Sequence, residues 1–263
     1  EALRILEGVA GPEQARREMA AVQEVLGQEA GRFRELFQAR FRRPVVIAMI
    51  LMVVSQFSGI NAIMYYSTKI FTTAGIGVKD AFMASVIVGL VNVVFTFVAI
   101  ALVDRAGRRP LLLIGLAVQV GALGAVGWMF HAGAGGVPLL AAILVFIGAF
   151  AMALGPIPWI LCSEIFPTKV RGRAMSLATF AIWSACYIVA QTCPMMLKLK
   201  SELPPATTFL DRLASFLAIG PSMTFWVYAA CSLLGLLFVW SMVPETKGRS
   251  LEEIEASWGK RFP

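Results

Sequence analysis

Residues 110–163 read PLLLIGLAVQVGALGAVGWMFHAGAGGVPLLAAILVFIGAFAMALGPIPWILCS, 54 consecutive positions without an Asp, Glu, Lys or Arg. About 20 helical residues cross the ~30 Å hydrocarbon layer of a bilayer, so this run holds two membrane helices, not one. His131-Ala132-Gly133-Ala134-Gly135-Gly136-Val137-Pro138 supplies the turn between them. The same signature recurs on either side, with charge-free runs over 44–68, 81–103, 174–197 and 213–244. Charged residues make up 15% of the 263-residue chain and hydrophobic residues 58%, against a charged share of about 25% in soluble domains. The charges are also unevenly placed: residues 1–43 carry 15 of the 39 and residues 245–263 carry 8. A soluble globular domain is excluded. So is an outer-membrane barrel, whose strands alternate polarity over about ten residues.

The expected fold is therefore an all-α membrane protein with six spans, near 44–70, 81–103, 110–130, 138–161, 174–197 and 218–243. Residues 1–43 read as amphipathic helices broken at Gly11-Pro12, with Leu3, Leu6 and Val9, then Met19, Val22, Val25 and Leu26, at three-to-four spacing. They form a cytoplasmic helical linker, 44–243 a six-helix bundle and 244–263 a cytoplasmic tail. Lys and Arg fix the orientation. With the N-terminal segment cytoplasmic, the inner stretches hold 18 basic residues and the outer ones 5, namely Lys69, Lys79, Lys198, Lys200 and Arg212. That asymmetry obeys the positive-inside rule and places both ends in the cytoplasm of a cell-membrane protein. The net charge of +7 thus reads as an orientation signal and not as a nucleic-acid surface. Lacking an initiator Met and a signal-peptide pattern, the chain reads as part of a longer one.

Polar residues inside the spans are amides, hydroxyls and indoles. Ser55-Gln56-Phe57-Ser58-Gly59-Ile60-Asn61 and then Tyr65-Tyr66 lie in the first span, and helical spacing lets Gln56, Asn61 and Tyr65 share a broad face. Gly59 weakens the helix between them, as in the interrupted helices that form midplane sites in transporters. Asn92 and Thr96 share a face of the second span. A buried amide in hydrocarbon needs a partner: a neighbouring helix that it glues in place, or a polar, uncharged solute. In the fourth span, Gly155-Pro156-Ile157-Pro158-Trp159 removes backbone donors and breaks the helix, which lipid tolerates only beside protein or a water-filled cavity. Trp159 and Trp183 lie deep in their spans, where an indole offers a flat apolar face and one donor. The other reading for each is packing or an interfacial belt.

Charge patterns mark two short connections, Asp104-Arg105-Ala106-Gly107-Arg108-Arg109 and the loop from Glu164 to Arg171. Opposite charges at helix ends can pair in one conformation and part in another, or can simply be solvated. Cys162, Cys186, Cys193 and Cys231 sit in or beside apolar runs, with no histidine at metal-ligand spacing. Cys186 and Cys193 share a helical face, so they either pack or bridge. No cofactor or metal is expected, and no motif for nucleotide hydrolysis or covalent catalysis occurs. The chain does not read as an enzyme.

Five motifs in order carry a resemblance: Ser-Gly-Ile-Asn-Ala-Ile-Met-Tyr-Tyr-Ser (58–67), Asp-Arg-Ala-Gly-Arg-Arg (104–109), Gly-Pro-Ile-Pro-Trp (155–159), Ser-Glu-Ile-Phe-Pro-Thr-Lys-Val-Arg-Gly-Arg (163–173) and Pro-Glu-Thr-Lys-Gly-Arg-Ser (244–250). Their succession resembles the C-terminal half of the sugar porter family of the major facilitator superfamily. The resemblance implies a twelve-helix carrier, of which this chain holds the last six helices and a missing N-terminal six-helix half is the partner. It further implies that Gln56, Asn61 and Asn92 hydrogen-bond a monosaccharide or polyol, that Trp159 packs beside its ring and that Trp183 lines the same cavity. Tyr65 and Tyr66 would help to close the outward gate. Asp104, Arg108, Arg109, Glu164, Arg171 and Glu245 would form a cytoplasmic charge network, made and broken during alternating access. A co-transported proton would be carried by the N-terminal half. Ser55, Ile182 and Cys186 stand where many relatives carry amides, which shifts the expected specificity away from glucose in particular. Two other classes compete: a facilitator-type carrier for a non-sugar solute, which needs a cationic or aromatic-rich cavity, and a sugar sensor, which needs a long cytoplasmic tail.

Overall fold

The computed structural model describes residues 33–198 and 220–249, with residues 11–17 and the single positions Arg4, Gly8, Met19 and Glu253. Most of the expected linker helices, Lys200, Arg212 and the tail beyond Arg249 apart from Glu253 lie outside the described residues. Within them, six helical stretches are long and apolar enough to cross a membrane. After a short 3-10 turn at Phe33–Phe37, the first span consists of α1 (Ala39–Phe57) and α2 (Ile60–Thr73). The second is α3 (Val78–Ala106) and the third α4 (Arg108–His131). The fourth is α5 (Val137–Met152) plus α6 (Ile157–Ile165), the fifth α7 (Thr168–Lys198) and the sixth α8 (Pro221–Met242).

Most of the helices outrun the apolar runs that predict them. α1 starts at Ala39 and carries Pro44 inside it, and α7 takes in Lys169, Arg171 and Arg173. Hydropathy marks only what lipid must cover, whereas the backbone hydrogen-bond ladder continues until a residue ends it. For α3 that residue is Gly107, at φ 91°.

The two interrupted spans break where the sequence removes support. At the end of α1, Ser58 Oγ donates to Ser55 O (2.7 Å) and Gly59 N to Gln56 O (3.0 Å). Gly59 then turns left-handed at φ 86° and α2 starts afresh, a conformation that costs a Cβ-bearing residue about 1–2 kcal/mol. In the fourth span Pro156 and Pro158 have no N–H for the carbonyls of Met152 and Leu154. Gly155 N closes back on Phe150 O at 3.0 Å, and α6 starts afresh at Ile157.

Around these breaks the helices pack in pairs. The most extensive contacts are α8 with α4, then α4 with α5, α3 with α5 and α1 with α7, and α2 with α3. Small residues set the closest approach: a Cβ on Gly115 of α4 would lie 3.0 Å from Ala149 O of α5. One stripe of α3, with Phe82, Leu90 and Phe97, stays exposed. All four cysteines are free thiols, so of the two readings packing holds and the bridge does not.

Candidate substrate cavity and charged cluster

The breaks in the first and fourth spans meet across an open cavity of about 330 Å³, within the size range of small-molecule sites. Gln56, Asn61, Tyr65, Asn92 and Trp159 all line it. The sequence spacing explains the convergence. Gln56 ends α1 and Asn61 opens α2, so the Gly59 turn folds one amide against the other. Asn61 Nδ2 donates to Gln56 Oε1 at 2.5 Å and to Cys186 Sγ of α7 at 3.1 Å. Gln56 Nε2 donates to Ser55 Oγ (3.2 Å), which in turn donates to Met52 O (2.8 Å). Each amide is therefore held in one orientation by its neighbours, with the backbone of α1 as the final anchor.

The remaining wall is apolar, from Ile60, Met64, Phe150, Leu154 and Ile182, and no charged side chain lines it. Trp159 comes from the first turn of α6, placed by the proline break rather than by a continuing helix. Chemically, the cavity offers orienting amides and an indole plane to a neutral hydrogen-bonding guest. Among the described residues no group of His, Cys, Asp or Glu is arranged to hold a metal ion.

Trp183 is not among the lining residues. Phe180, Trp183 and Tyr187 form one exposed stripe of α7, Trp183 being 64% exposed, while its neighbour Ile182 faces the cavity. One residue is a 100° step around a helix, and depth in the sequence does not resolve that step. The two tyrosines diverge in the same way. Tyr65 lies 4.0 Å from Cys186 Sγ at the cavity. Tyr66 Oη donates to Ala190 O of α7 at 3.0 Å, a carbonyl left without its helical donor because Pro194 stands four residues on.

At one end of the bundle the charged residues interlock. Arg108 donates from Nε (3.2 Å) and Nη2 (2.8 Å) to Glu164 Oε1, and its Nη2 lies 3.0 Å from Asp104 Oδ1. The carboxylate of Glu245 accepts the backbone N–H groups of Arg108 and Arg109, both at 3.1 Å. It thereby caps the N-terminus of α4, where the helix dipole favours negative charge. Gly107 permits that approach, since a Cβ there would stand 2.7 Å from Glu245 Oε2. Arg109 Nη2 donates to Trp240 O near the end of α8 (2.7 Å). Arg171 stands apart: its Nε donates to Phe166 O (3.2 Å) within its own turn. Thr246 and Lys247 belong to the cluster and were not singled out from the sequence. Thr246 Oγ1 donates to Glu164 Oε2 (2.7 Å) and Lys247 Nζ to Arg105 O (2.6 Å). Their adjacency to Glu245 was the available signal.

Replacing Glu245 with Ala leaves the first backbone donors of α4 without their acceptor. A lost cap costs about 0.5–2 kcal/mol, so thermal unfolding of the detergent-solubilised protein should begin a few degrees lower, with Glu245→Gln intermediate. An unchanged transition for Glu245→Ala contradicts the capping role.

The sequence was compared with known families and structures. The model of the family described as "Sugar (and other) transporter" matches residues 1–258. The chain belongs to this sugar transporter family. Among relatives, the arabinose-proton symporter of Bacillus subtilis is 36% identical over 262 residues, spanning 99% of this chain and 52% of that protein. The facilitated trehalose transporter Tret1 of Bombyx mori is 38% identical over 231 residues, 85% of this chain and 42% of the relative. A solved structure of the major facilitator superfamily proton:xylose symporter XylE, bound to 6-bromo-6-deoxy-D-glucose, superposes with a TM-score of 0.76 at 35% identity. That match covers 97% of this chain and 51% of XylE. This sugar transporter family member thus has half of a major facilitator fold, and it spans about half the length of the relatives it matches.

Proposed function

We propose that this chain is the C-terminal half of a carrier that moves a monosaccharide or polyol across the cell membrane by alternating access. The observation that carries the proposal is the uncharged cavity at the meeting of two broken helices, with Gln56 and Asn61 locked amide to amide on one wall and Trp159 on another. A sugar matches that wall chemically, because its hydroxyls both donate and accept while its ring carries an apolar C–H face. Gln56, Asn61 and Asn92 hydrogen-bond the hydroxyls and Trp159 stacks beside the ring. Trp183, on the exposed stripe of α7, meets the solute only from the side that the N-terminal half covers. An organic anion would find no cation on this wall, which counts against the non-sugar reading.

Tyr65 and Tyr66 act at the outward gate. Asp104, Arg108, Arg109, Glu164 and Glu245, with Arg171 at the rim, form the cytoplasmic network that opens and closes with the carrier. Both ends of the chain are cytoplasmic, with 1–43 as linker to the N-terminal half and 244–263 as tail. The relatives named as proton symporters support a co-transported proton. No carboxylate lines the cavity of this half, and we place the proton's acceptor in the other one. The deciding experiment is uptake of labelled pentoses, hexoses and inositol by the full-length carrier, with and without a proton gradient. Accumulation of at least one sugar, sensitive to Trp159→Ala, is expected. Transport of organic anions with no response to any sugar overturns the proposal.

A further inference from the structure

Gln119 sits in the middle of α4, deep in the third span, with no surface exposed. Neither its amide nitrogen nor its amide oxygen has a hydrogen-bond partner, and the same holds for Ser232 Oγ of α8, also fully buried. Close contacts fix the antiparallel register of these two helices. Gly235 approaches Leu116, and Trp226 Nε1 donates to Gly124 O at 3.4 Å. Stepping from either contact brings Gln119 to the depth of Ser232. Tyr228, one turn away on α8, is also buried, but its Oη interacts with Cys193 Sγ of α7. Its ring packs on Gly59, where a Cβ would stand 2.7 Å from Tyr228 Cγ. The break in the first span therefore lies beside this part of α8.

An amide without a partner in a hydrocarbon-like interior is strongly disfavoured, and two such side chains at one depth, Gln119 and Ser232, define a polar site. Its donors and acceptors are all neutral. A bound cation would lack a counter-charge there, whereas water can both donate and accept, and buried waters typically make about three hydrogen bonds. We propose that Gln119 and Ser232 hold one or two structural water molecules between the third and sixth spans. This site is separate from the solute cavity, whose lining includes neither residue.

The test is a mutant cycle in the full-length protein that carries this chain, read by thermal unfolding in detergent. Removing one polar partner strands the other, while removing both can be nearly neutral. Gln119→Met and Ser232→Ala are each expected to lower the midpoint by about 2–4 °C, and the double variant is expected to recover most of that loss. A high-resolution density map of the unmodified protein should show solvent within hydrogen-bond distance of the Gln119 amide. Additive losses in the double variant overturn the proposal. So does a map in which the Gln119 amide bonds Ser232 Oγ directly, with no solvent between them.

Discussion

Gly59→Ala is expected to damage both stability and transport, because strain and a clash fall on one residue. The residue holds φ 86°, where a Cβ costs about 1–2 kcal/mol. The new carbon would also fall 2.7 Å from Cγ of Tyr228, inside van der Waals contact with a buried ring. Overpacking of that kind adds about 1–3 kcal/mol. In the full-length carrier the thermal midpoint should fall by at least ~5 °C, and uptake should fall with it because the Gln56–Asn61 pair straddles the turn. Pairing the change with Tyr228→Leu separates the two causes: the clash is relieved, the backbone strain is not, and stability should return only in part. A Gly59→Ala protein with unchanged midpoint and uptake would refute the role assigned to the break.

Asn61→Ala should leave the protein folded and at the membrane but raise the half-saturating sugar concentration by about 10–100-fold. Asn61 joins α1, α2 and α7 through Gln56 Oε1 and Cys186 Sγ, so its removal releases the Gln56 carbonyl as well as deleting an amide from the wall. Each stranded or lost polar contact is worth about 1–3 kcal/mol, and 1.4 kcal/mol is a factor of ten in affinity. Kinetics of labelled sugar uptake, normalised to surface level, check this. An unchanged half-saturation constant would remove Asn61 from the site. Cys186→Ala, which takes away one acceptor and leaves the amide in place, should have the smaller effect.

Much of this was legible from residues alone, because lipid imposes a strict code. Charge-free length locates the six spans, and Gly59 and the Pro156–Pro158 pair mark the two breaks. What the code omits is rotation. Trp159 and Trp183 have similar depth and chemistry, yet one lines the cavity and the other lies on an exposed stripe, since a single helical step separates Ile182 from Trp183. Gln119 escaped notice for a related reason. One amide in a long apolar run carries no neighbouring motif, and only the register of α4 against α8 sets it opposite Ser232. The charged end shows a third limit. Glu164 and Arg171 look paired by spacing, but Arg108 reaches Glu164 first with two donors, and the turn at Phe166 occupies Arg171.

The catch between Tyr66 and Ala190 has an evolutionary corollary. The tyrosine has this oxygen to itself because a ring four positions downstream cannot donate to it. If Pro194 mutated to an ordinary residue, the helix would heal, Ala190 would regain an internal donor and the phenol would have a rival for the same oxygen. Neither position can then drift freely by itself, so across descendants of this gene Tyr66 and Pro194 should be kept together or lost together.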